Sequence, residues 1–373
     1  MKRWKRPPLL DFFPSARLTV YLAKMFAVRI VAVLAMLVLV LLMLDLLSKT
    51  GDILAFGGNG QAELLEYAGL RAPQLVRRFL PYSVLLATII TLATLNQNSE
   101  VTAMKAAGLS AHQILAPLLL TATVVAGISF AFNERVVTRA TASLKAWEAV
   151  EYGVVPVDPD TRLNVFFNDG NDVLMARQQA GLGADTVLTG VTFYERDDSG
   201  MIARQITGSR ATYANPGWLV EDAEIFSVAT TQTMMAAEPV LVAGGIGLDQ
   251  LTLRRVDPDS ETLSELSTSI DALQAAGRRT AELEGRWWAK ISGPLSAILM
   301  PLLGAVAGFG LARSGNLFVR AVLGMVLGFA YFVVENAALA LGSFGGYPPL
   351  LAAWSPFVLF LLVGETVLIR TEE

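Results

Sequence analysis

The chain of 373 residues contains no cysteine and only one histidine, His112. Without cysteine the protein has no disulfide framework, thiolate nucleophile or thiolate metal site. A single histidine excludes metal sites that are built from several imidazoles. The sequence also lacks the G-x-x-x-x-G-K-S/T loop with which P-loop proteins hold nucleotide phosphates. We therefore predict that the chain is not an enzyme, and we predict no catalytic residue, metal or cofactor.

Charged residues are scarce as well, because only 17% of the chain is Asp, Glu, Lys or Arg while 53% is hydrophobic. Soluble domains are usually about 25% charged. Between Asn133 and Lys290, 23 acidic and 14 basic residues give a net charge of −9, and the other 10 acidic and 15 basic residues give +5. No cluster of basic and aromatic residues indicates nucleic-acid binding. This composition predicts an integral membrane protein with an acidic soluble insert.

Six long apolar stretches lie three on each side of that insert. Each approaches the roughly 20 residues that a helix needs to cross the ~30 Å hydrocarbon core of a bilayer. The predicted spans are residues 25–47, 76–95, 114–132, 288–311, 317–341 and 349–369. The chain then divides into a cytoplasmic tail (1–24), spans one to three (25–132), the insert with a helical return segment (133–287), and spans four to six with a short cytoplasmic tail (288–373).

The insert alternates apolar and polar residues over Leu163–Phe167, Val187–Phe193 and Trp218–Phe226, which is the period of a β-strand. Turn-forming runs of Gly, Asn and Asp (NDGND, DDSG and ANPG) separate these stretches. Short strands joined by short turns predict a β-sandwich or jelly roll. From Asp259 to Arg286 the period becomes helical, which predicts one or two helices that lead back to the membrane.

Basic residues predict the orientation of the chain, since Lys and Arg are enriched in cytoplasmic loops. The basic residues used here lie in the N-terminal tail: Lys2, Arg3, Lys5, Arg6 and Arg17. They place both termini in the cytoplasm and the insert in the bacterial periplasm. Arg71, Arg77 and Arg78 then fall on the periplasmic side, against the usual bias. An anionic cargo or lipid that they face would account for them.

The segment Asn96–Leu109, between spans two and three, predicts a short amphipathic helix on the cytoplasmic side. Such a helix docks in the groove of a soluble partner, with Glu100 as its exposed charge and Met104 as a flexible apolar contact. An ordinary loop is the alternative interpretation.

Polar groups inside the spans are a second candidate for function, because an ionisable side chain at the bilayer centre costs about 2.5–3.5 kcal/mol. These residues are Asp45, Glu335, Asn336 and Glu365. Asp45 lies close enough to the end of its span to reach water. Glu335 and Asn336 either contact a polar headgroup or hydrogen-bond a neighbouring helix.

Glycines form a third feature, in the fourth and fifth spans. They are Gly304, Gly308, Gly310, Gly324 and Gly328. Small residues at a spacing of four let two helices approach closely. The pattern indicates either packing within the chain or a seam with a second, similar subunit.

Several segments, in order along nearly the whole chain, resemble the LptF/LptG permease family of the lipopolysaccharide exporter. LNQNSEVTAMKAAGLS is similar to the family's coupling helix, and NDGNDVLMAR is similar to the start of its β-jellyroll. The segment GRWWAKISGPL resembles its return to the membrane, with Trp288, Lys290 and Pro294 in register. FAYFVVENAALALGSFGGYPPLLAAWSP is most similar to the G-type members.

The resemblance implies an α-helical inner-membrane protein with six transmembrane helices (3 + 3) and an inserted periplasmic β-jellyroll-like domain. It also implies a half-transporter that pairs with an F-type permease paralogue, a cytoplasmic ATPase dimer and a single-span partner with its own periplasmic jellyroll. Lipopolysaccharide would leave the outer leaflet of the inner membrane, enter a cavity between the two permeases and pass through the jellyroll to a periplasmic bridge.

The resemblance further implies roles for particular residues. Coupling to the ATPase falls on Ser99, Glu100, Met104 and Gly108. For the cargo we predict contacts with Lys49, Arg71, Arg77, Arg78, Glu335 and Asn336. Some G-type members carry a lysine near the outer end of the first span, where this chain has apolar residues around Met43.

Three alternatives stay open. The permease of a lipoprotein-release or related ABC system also carries a periplasmic domain, although such proteins usually have four spans with the insert after the first. An intramembrane enzyme would use Asp45, Glu335 or Glu365, without the paired motif that such chemistry needs. A membrane scaffold without transport would tolerate disruption of the helix at 96–109.

Overall fold

The computed structural model describes residues 13–155, 162–181, 185–197, 200–246, 256–275, 277–309 and 317–372. The chain separates into a helical unit, up to Leu144 and from Val256 onward, and a β unit, Lys145–Arg255. Six segments in the described part are long and apolar enough to cross a membrane. Three precede the β unit and three follow it, so the predicted fold class, with an antiparallel β domain between the third and fourth spans, is confirmed.

The helices are bounded as follows. Before the β unit lie α1 (Ala16–Ala55), α2 (Gln61–Gln97), α3 (Glu100–Ala106) and α4 (Ala111–Phe132), which continues through a π-helical turn (Asn133–Val137) into α5 (Thr138–Ala149). After it lie α6 (Leu263–Ala275), α7 (Ala281–Phe309), α8 (Leu317–Ser343) and α9 (Pro349–Glu372). Each predicted span lies within a helix, except that residues 310 and 311 of the fourth span fall outside the described residues.

The helix α2 begins well before the predicted second span, because its first turn is stabilised by a cap. The backbone N–H of Gly60 donates to the Glu63 carboxylate over 2.6 Å. Two prolines, Pro73 and Pro81, lie inside this helix. Each removes one backbone hydrogen bond, a loss that neighbouring helices compensate in a membrane bundle.

The helical core is built around α2 and α7. Over half of the most apolar window of each is buried, 56% for α2 and 61% for α7, whereas the figure is 11% for α1. Two glycines permit this close packing, because a Cβ on Gly304 would lie 2.7 Å from the Thr88 methyl group and one on Gly328 would collide with Leu85. Packing within the chain thus accounts for these two glycines.

The other glycines of that group are less informative. Gly310 lies outside the described residues, and both alternatives stay open for Gly308 and Gly324.

Within its described residues, the β unit contains eight antiparallel strands. They are β1 (Arg162–Asp169), β2 (Asp172–Ala180), β3 (Val187–Arg196), β4 (Ile202–Tyr213), β5 (Trp218–Glu221), β6 (Glu224–Ser227), β7 (Gln232–Met235) and β8 (Val240–Val242). The order is β1-β2-β3-β4-β5-β8, with β6 paired to β4 and β7 paired to β6. All pairs are antiparallel, as a jellyroll-like domain requires.

One side of this sheet carries an apolar core, as the alternating pattern predicts. Trp218 is fully buried there, and its indole N–H donates to the carbonyl of Ile246 over 3.2 Å. The stretch Trp218–Phe226, expected as one strand, is divided into two, because Asp222 takes a left-handed backbone conformation (φ 52°). Of the predicted turns, DDSG falls partly outside the described residues, at 198 and 199.

The β unit is shorter than the predicted insert of residues 133–287. Residues 133–144 extend the third-span helix and belong to the helical unit. The return segment belongs to it as well, and α6 buries Leu266 and Ile270. A soluble insert defined by charge and hydropathy therefore includes helical residues that pack with the bundle.

Candidate functional site at the two ends of the helical unit

The polar groups of the helical unit gather at its two ends. We call the end that contains Tyr21, Glu100 and His112 the loop end. The end that contains Asp45, Glu134 and Lys290 is called the insert end, because the chain leaves the bundle for the β unit there. The predicted coupling residues lie at the loop end, and the predicted cargo residues lie on helices that reach the insert end.

At the loop end, α3 is held between two residues with positive φ. Ser99, before its first residue, has φ 59°, and Gly108, after its last turn, has φ 85°. The N–H groups of Gly108 and Leu109 donate to the carbonyls of Lys105 and Met104, over 2.9 and 3.1 Å. Glycine adopts this left-handed conformation without strain, which explains its place in the motif.

Glu100 is half-buried rather than fully exposed, which corrects the prediction of a free surface charge. The hydroxyl of Tyr21 on α1 donates to its two carboxylate oxygens over 3.3 and 3.4 Å, and the Asn98 amide donates over 3.4 Å. Arg29, also on α1, attracts the same carboxylate. Sequence separation hid this contact, since Tyr21 and Glu100 are 79 residues apart.

Met104 points into the bundle, which differs from its predicted role as a partner contact. Met104 is 8% exposed and Val101 is 4% exposed, and both belong to the main apolar core. Positions three apart share one face of a helix, so this pair anchors α3 to the bundle. The exposed residues of α3 are Thr102, Ala103, Lys105 and Ala106.

A second contact at the loop end joins α4 to α9. His112 Nε2 lies 3.2 Å from a carboxylate oxygen of Glu365. Glu365, one of the carboxylates inside the predicted spans, therefore has a partner in the third-span helix. Neither residue carries a local motif, and their separation of 253 residues hides the pair from sequence analysis.

At the insert end, Asp45 ties α1 to α2. Its carboxylate accepts from the Arg71 guanidinium over 3.0 and 3.2 Å and from the Tyr67 hydroxyl over 2.7 Å. Two parallel N–H···O bonds are the strong, directional form of this contact. The ion pair explains how a carboxylate is tolerated near the end of a span, and it engages one of the predicted cargo cations.

Two more predicted cargo cations also form ion pairs. Lys49 lies 3.1 Å from Asp52, with both side chains largely exposed, at 41% and 60%. Arg77 donates to Asp259 over 3.2 Å. Arg78, in contrast, is exposed and makes no hydrogen bond or ion pair within the described part of the chain.

Tyr82 joins the part of α2 that carries Arg78 to the part of α8 that carries Glu335. The ring of Tyr82 stacks on Phe332 of α8, with centroids 4.1 Å apart. The hydroxyl of the fully buried Tyr331 donates to Glu335 over 3.4 Å.

Asn336 does not join this group through a hydrogen bond to another helix. Its side-chain amide is exposed and donates to the Phe332 carbonyl on its own helix over 2.7 Å. The predicted acid–amide pair is therefore divided between a half-buried carboxylate that faces Tyr331 and an exposed amide.

The model of the lipopolysaccharide export system permease LptF/LptG family matches residues 20–370. The chain belongs to this family. The lipopolysaccharide export system permease protein LptG of Escherichia coli (strain K12) is 25% identical over 327 residues, which cover 86% of this chain and 89% of that protein. LptG of Haemophilus influenzae is 24% identical over 310 residues, or 80% and 83% of the two chains.

Family membership confirms the resemblance and extends over both triplets of spans and the β unit. It removes the support for a lipoprotein-release permease with four spans. It also identifies the chain as a permease of a transport system. The family match therefore gives no support to an intramembrane enzyme or to a scaffold without transport.

One group of residues at the insert end, Lys290 and three carboxylates, was not predicted from the sequence. Lys290 on α7 is 3% exposed, and the carboxylates of Glu134, Asp259 and Glu261 attract its ammonium group. A lysine inside an apolar span, beside two tryptophans, could have been recognised from the sequence as unusual. Its partners could not, because they come from distant segments. Within the described residues no group of three His, Asp or Glu side chains is arranged to hold a metal ion.

Proposed function

We propose that this permease is the G-type subunit of an ATP-driven lipopolysaccharide exporter in a bacterial inner membrane. It pairs with an F-type paralogue, a separate cytoplasmic ATPase dimer and a single-span partner with a periplasmic jellyroll. The loop end lies in the cytoplasm, and the β unit, within residues 133–287, lies in the periplasm. The named relatives, both LptG proteins matched over most of their length, support this assignment.

Coupling to the ATPase uses α3 in two ways. Its exposed face, which includes Lys105, docks on the ATPase, while Met104 fixes the helix to the apolar core. Ser99 and Gly108 set the two chain reversals that hold α3 at the surface. Glu100 links α3 to Tyr21 of α1, so a push on α3 also reaches the first span.

Arg78 is the main contact for the anionic headgroup of the cargo. The observation that supports this role is that Arg78 is exposed and makes no hydrogen bond or ion pair within the described residues. Arg71 and Arg77 hold other helices through ion pairs, so they maintain the shape of the site. Lys49 sits in an exposed pair, which an anionic ligand displaces at little cost. Glu335 and Asn336 line the same end of α8 and contact polar parts of the lipid.

Co-purification of the chain from its native membrane tests the assignment. Mass spectrometry is expected to find an ATPase, a second six-span permease and lipopolysaccharide. Recovery of the chain alone, with ordinary phospholipid, would contradict the proposal.

The variant Arg78→Gln tests the headgroup contact. Because one charge-assisted contact to phosphate contributes about 1.5–3 kcal/mol, we expect at least about tenfold less lipopolysaccharide bound to the purified complex. Arg210→Gln, which removes an exposed arginine from β4, is the matched control and should leave the bound lipid unchanged. Equal lipid content in both variants would rule out the role of Arg78.

A further inference from the structure

Lys290 is the most deeply buried cation of the helical unit that the structure describes. It is 3% exposed, and its Nζ atom makes no hydrogen bond with the described residues. A buried ammonium group is costly unless nearby opposite charges compensate for lost hydration. The carboxylates of Glu134, Asp259 and Glu261 supply this compensation, while Arg77 repels it.

These carboxylates belong to segments that meet where the chain re-enters the helical unit. We call residues 256–263 the return strap, since they connect the β unit to α6. Asp259 of the strap is paired with Arg77 on α2, 3.2 Å away. Glu261 of the strap is 3% exposed and accepts a hydrogen bond from the Ser269 hydroxyl of α6 over 2.9 Å.

The end of the strap is held by two further hydrogen bonds. The backbone N–H of Leu263 donates to Glu134 over 2.7 Å, and the Leu263 carbonyl accepts from the Trp287 indole over 3.1 Å. Glu134 lies in the π-helical turn after α4, and Trp287 lies on α7. The strap is therefore bound to the second, third and fourth spans at once. π-Helical turns within α-helices are frequent at functional sites.

The attachment of the return strap depends on the charge of Lys290. Two cations, Arg77 and Lys290, interact electrostatically with three carboxylates, and Arg77 is ion-paired with one of them, Asp259. If Lys290 is neutralised, the three carboxylates share one arginine, and Glu261 is buried next to like charges. Repulsion between buried carboxylates then favours a strap detached from α2.

We propose that Lys290 is a positioning residue of the permease, whose charge holds the return strap against α2, the π-helical turn and α7. Movement of these helices is thereby passed to the chain segment that follows the β unit. The attachment of the strap does not depend on the cargo, whereas its part in transport rests on the proposed function.

The absence of cysteine from the chain allows a direct test in native membranes. Ser260→Cys places a nearly isosteric thiol in the half-buried strap, and its rate of reaction with a membrane-impermeant maleimide reports detachment. We expect Lys290→Met to raise this rate at least about tenfold, as local opening becomes more populated. Two control thiols accompany it: Ser264→Cys, already exposed, and Ser83→Cys, fully buried in α2.

A charge-balancing variant separates electrostatics from packing. Lys290→Met combined with Glu261→Gln restores the balance of charge and retains a side chain that accepts from Ser269. We expect it to return the labelling rate at residue 260 to within about twofold of the parent. An unchanged rate in Lys290→Met overturns the proposal, and so does a fast rate in the double variant. Labelling at residue 83 overturns it as well, because it shows general unfolding.

A transport assay tests whether the strap takes part in export. In the assembled transporter, Lys290→Met is expected to lower the lipid exported per ATP hydrolysed, and the double variant is expected to restore it. Unchanged export per ATP, with fast labelling at residue 260, would refute the passage of movement through the strap. If the parent exports no lipopolysaccharide, the proposed function fails, while the labelling result still decides how the strap is attached.

Discussion

The attachment of α3 at the loop end and the joints of the insert end depend on different forces. At the loop end, α3 is anchored by two apolar residues, Val101 and Met104, with one polar contact from Tyr21. At the insert end, helices and strap are joined by ion pairs such as Asp45–Arg71 and Arg77–Asp259. Packed apolar contacts are rigid and non-directional, whereas ion pairs exchange partners. Under the proposed function, force enters the permease through the rigid attachment of α3, and the cargo is bound where ion pairs can change partners.

The largest effect is expected from removing the apolar anchor of α3. Met104→Ala deletes most of a side chain that is 8% exposed and leaves a cavity under the helix. Losses for such substitutions are about 2–5 kcal/mol. Hydrogen exchange of the amides at 100–109 should speed up at least about tenfold. The exposed Lys105→Ala on the same helix is the control, and equal exchange in both variants would mean that the loop end is not held by packing.

A smaller effect is expected at the insert end from Asp45→Asn. The substitution leaves Arg71 half-buried without its carboxylate and weakens the contact with Tyr67. We expect the free energy of unfolding of the purified chain to fall by about 1–3 kcal/mol. Thermal unfolding in detergent measures it.

The exposed pair of Lys49 and Asp52 provides the matched comparison for Asp45→Asn. Lys49→Ala should change the stability by less than about 1 kcal/mol, because water and salt screen exposed charges. If both substitutions destabilise the protein equally, burial does not determine how much each ion pair of the insert end contributes to stability.

The smallest effect is expected from Tyr21→Phe at the loop end. It removes only the hydroxyl that donates to Glu100, over 3.3–3.4 Å, and these long bonds contribute about 0.5–1 kcal/mol. Stability should hardly change, while ATP hydrolysis and lipid export become less tightly coupled. Lipid exported per ATP measures this. A ratio equal to that of the parent protein would show that α3 acts on α1 by packing alone.

Much of the fold could be predicted because its signals are local. A span needs only a run of apolar residues, so the stretch between Arg29 and Asp45 identifies a helix without any partner. The reversals around α3 are local as well, since Gly108 marks a left-handed residue. Helix starts were less predictable: α2 begins at Gln61 because Gly60 and Glu63 form a cap, although the apolar stretch indicated a start near residue 76.

The candidate site was only partly predictable, because the role of each charged residue depends on whether it forms an ion pair. Lys49, Arg71, Arg77 and Arg78 looked equivalent as outward cations, yet only Arg78 makes no ion pair in the part of the chain that the structure describes. Met104 was expected on the surface, but a helical face cannot be assigned to core or solvent from seven residues alone. Partners 79 to 253 residues distant leave no trace in a single sequence.

The sequence by itself determined the class of protein, since six apolar stretches, an alternating insert and the ordered motifs all depend on local composition and period. It also determined the family, which the match over residues 20–370 confirms. Only the tertiary structure decided which charges are engaged and which side chains face the core. The physical reason is that a buried charge such as Lys290 is stable only near opposite charges, which here come from the π-helical turn and the return strap.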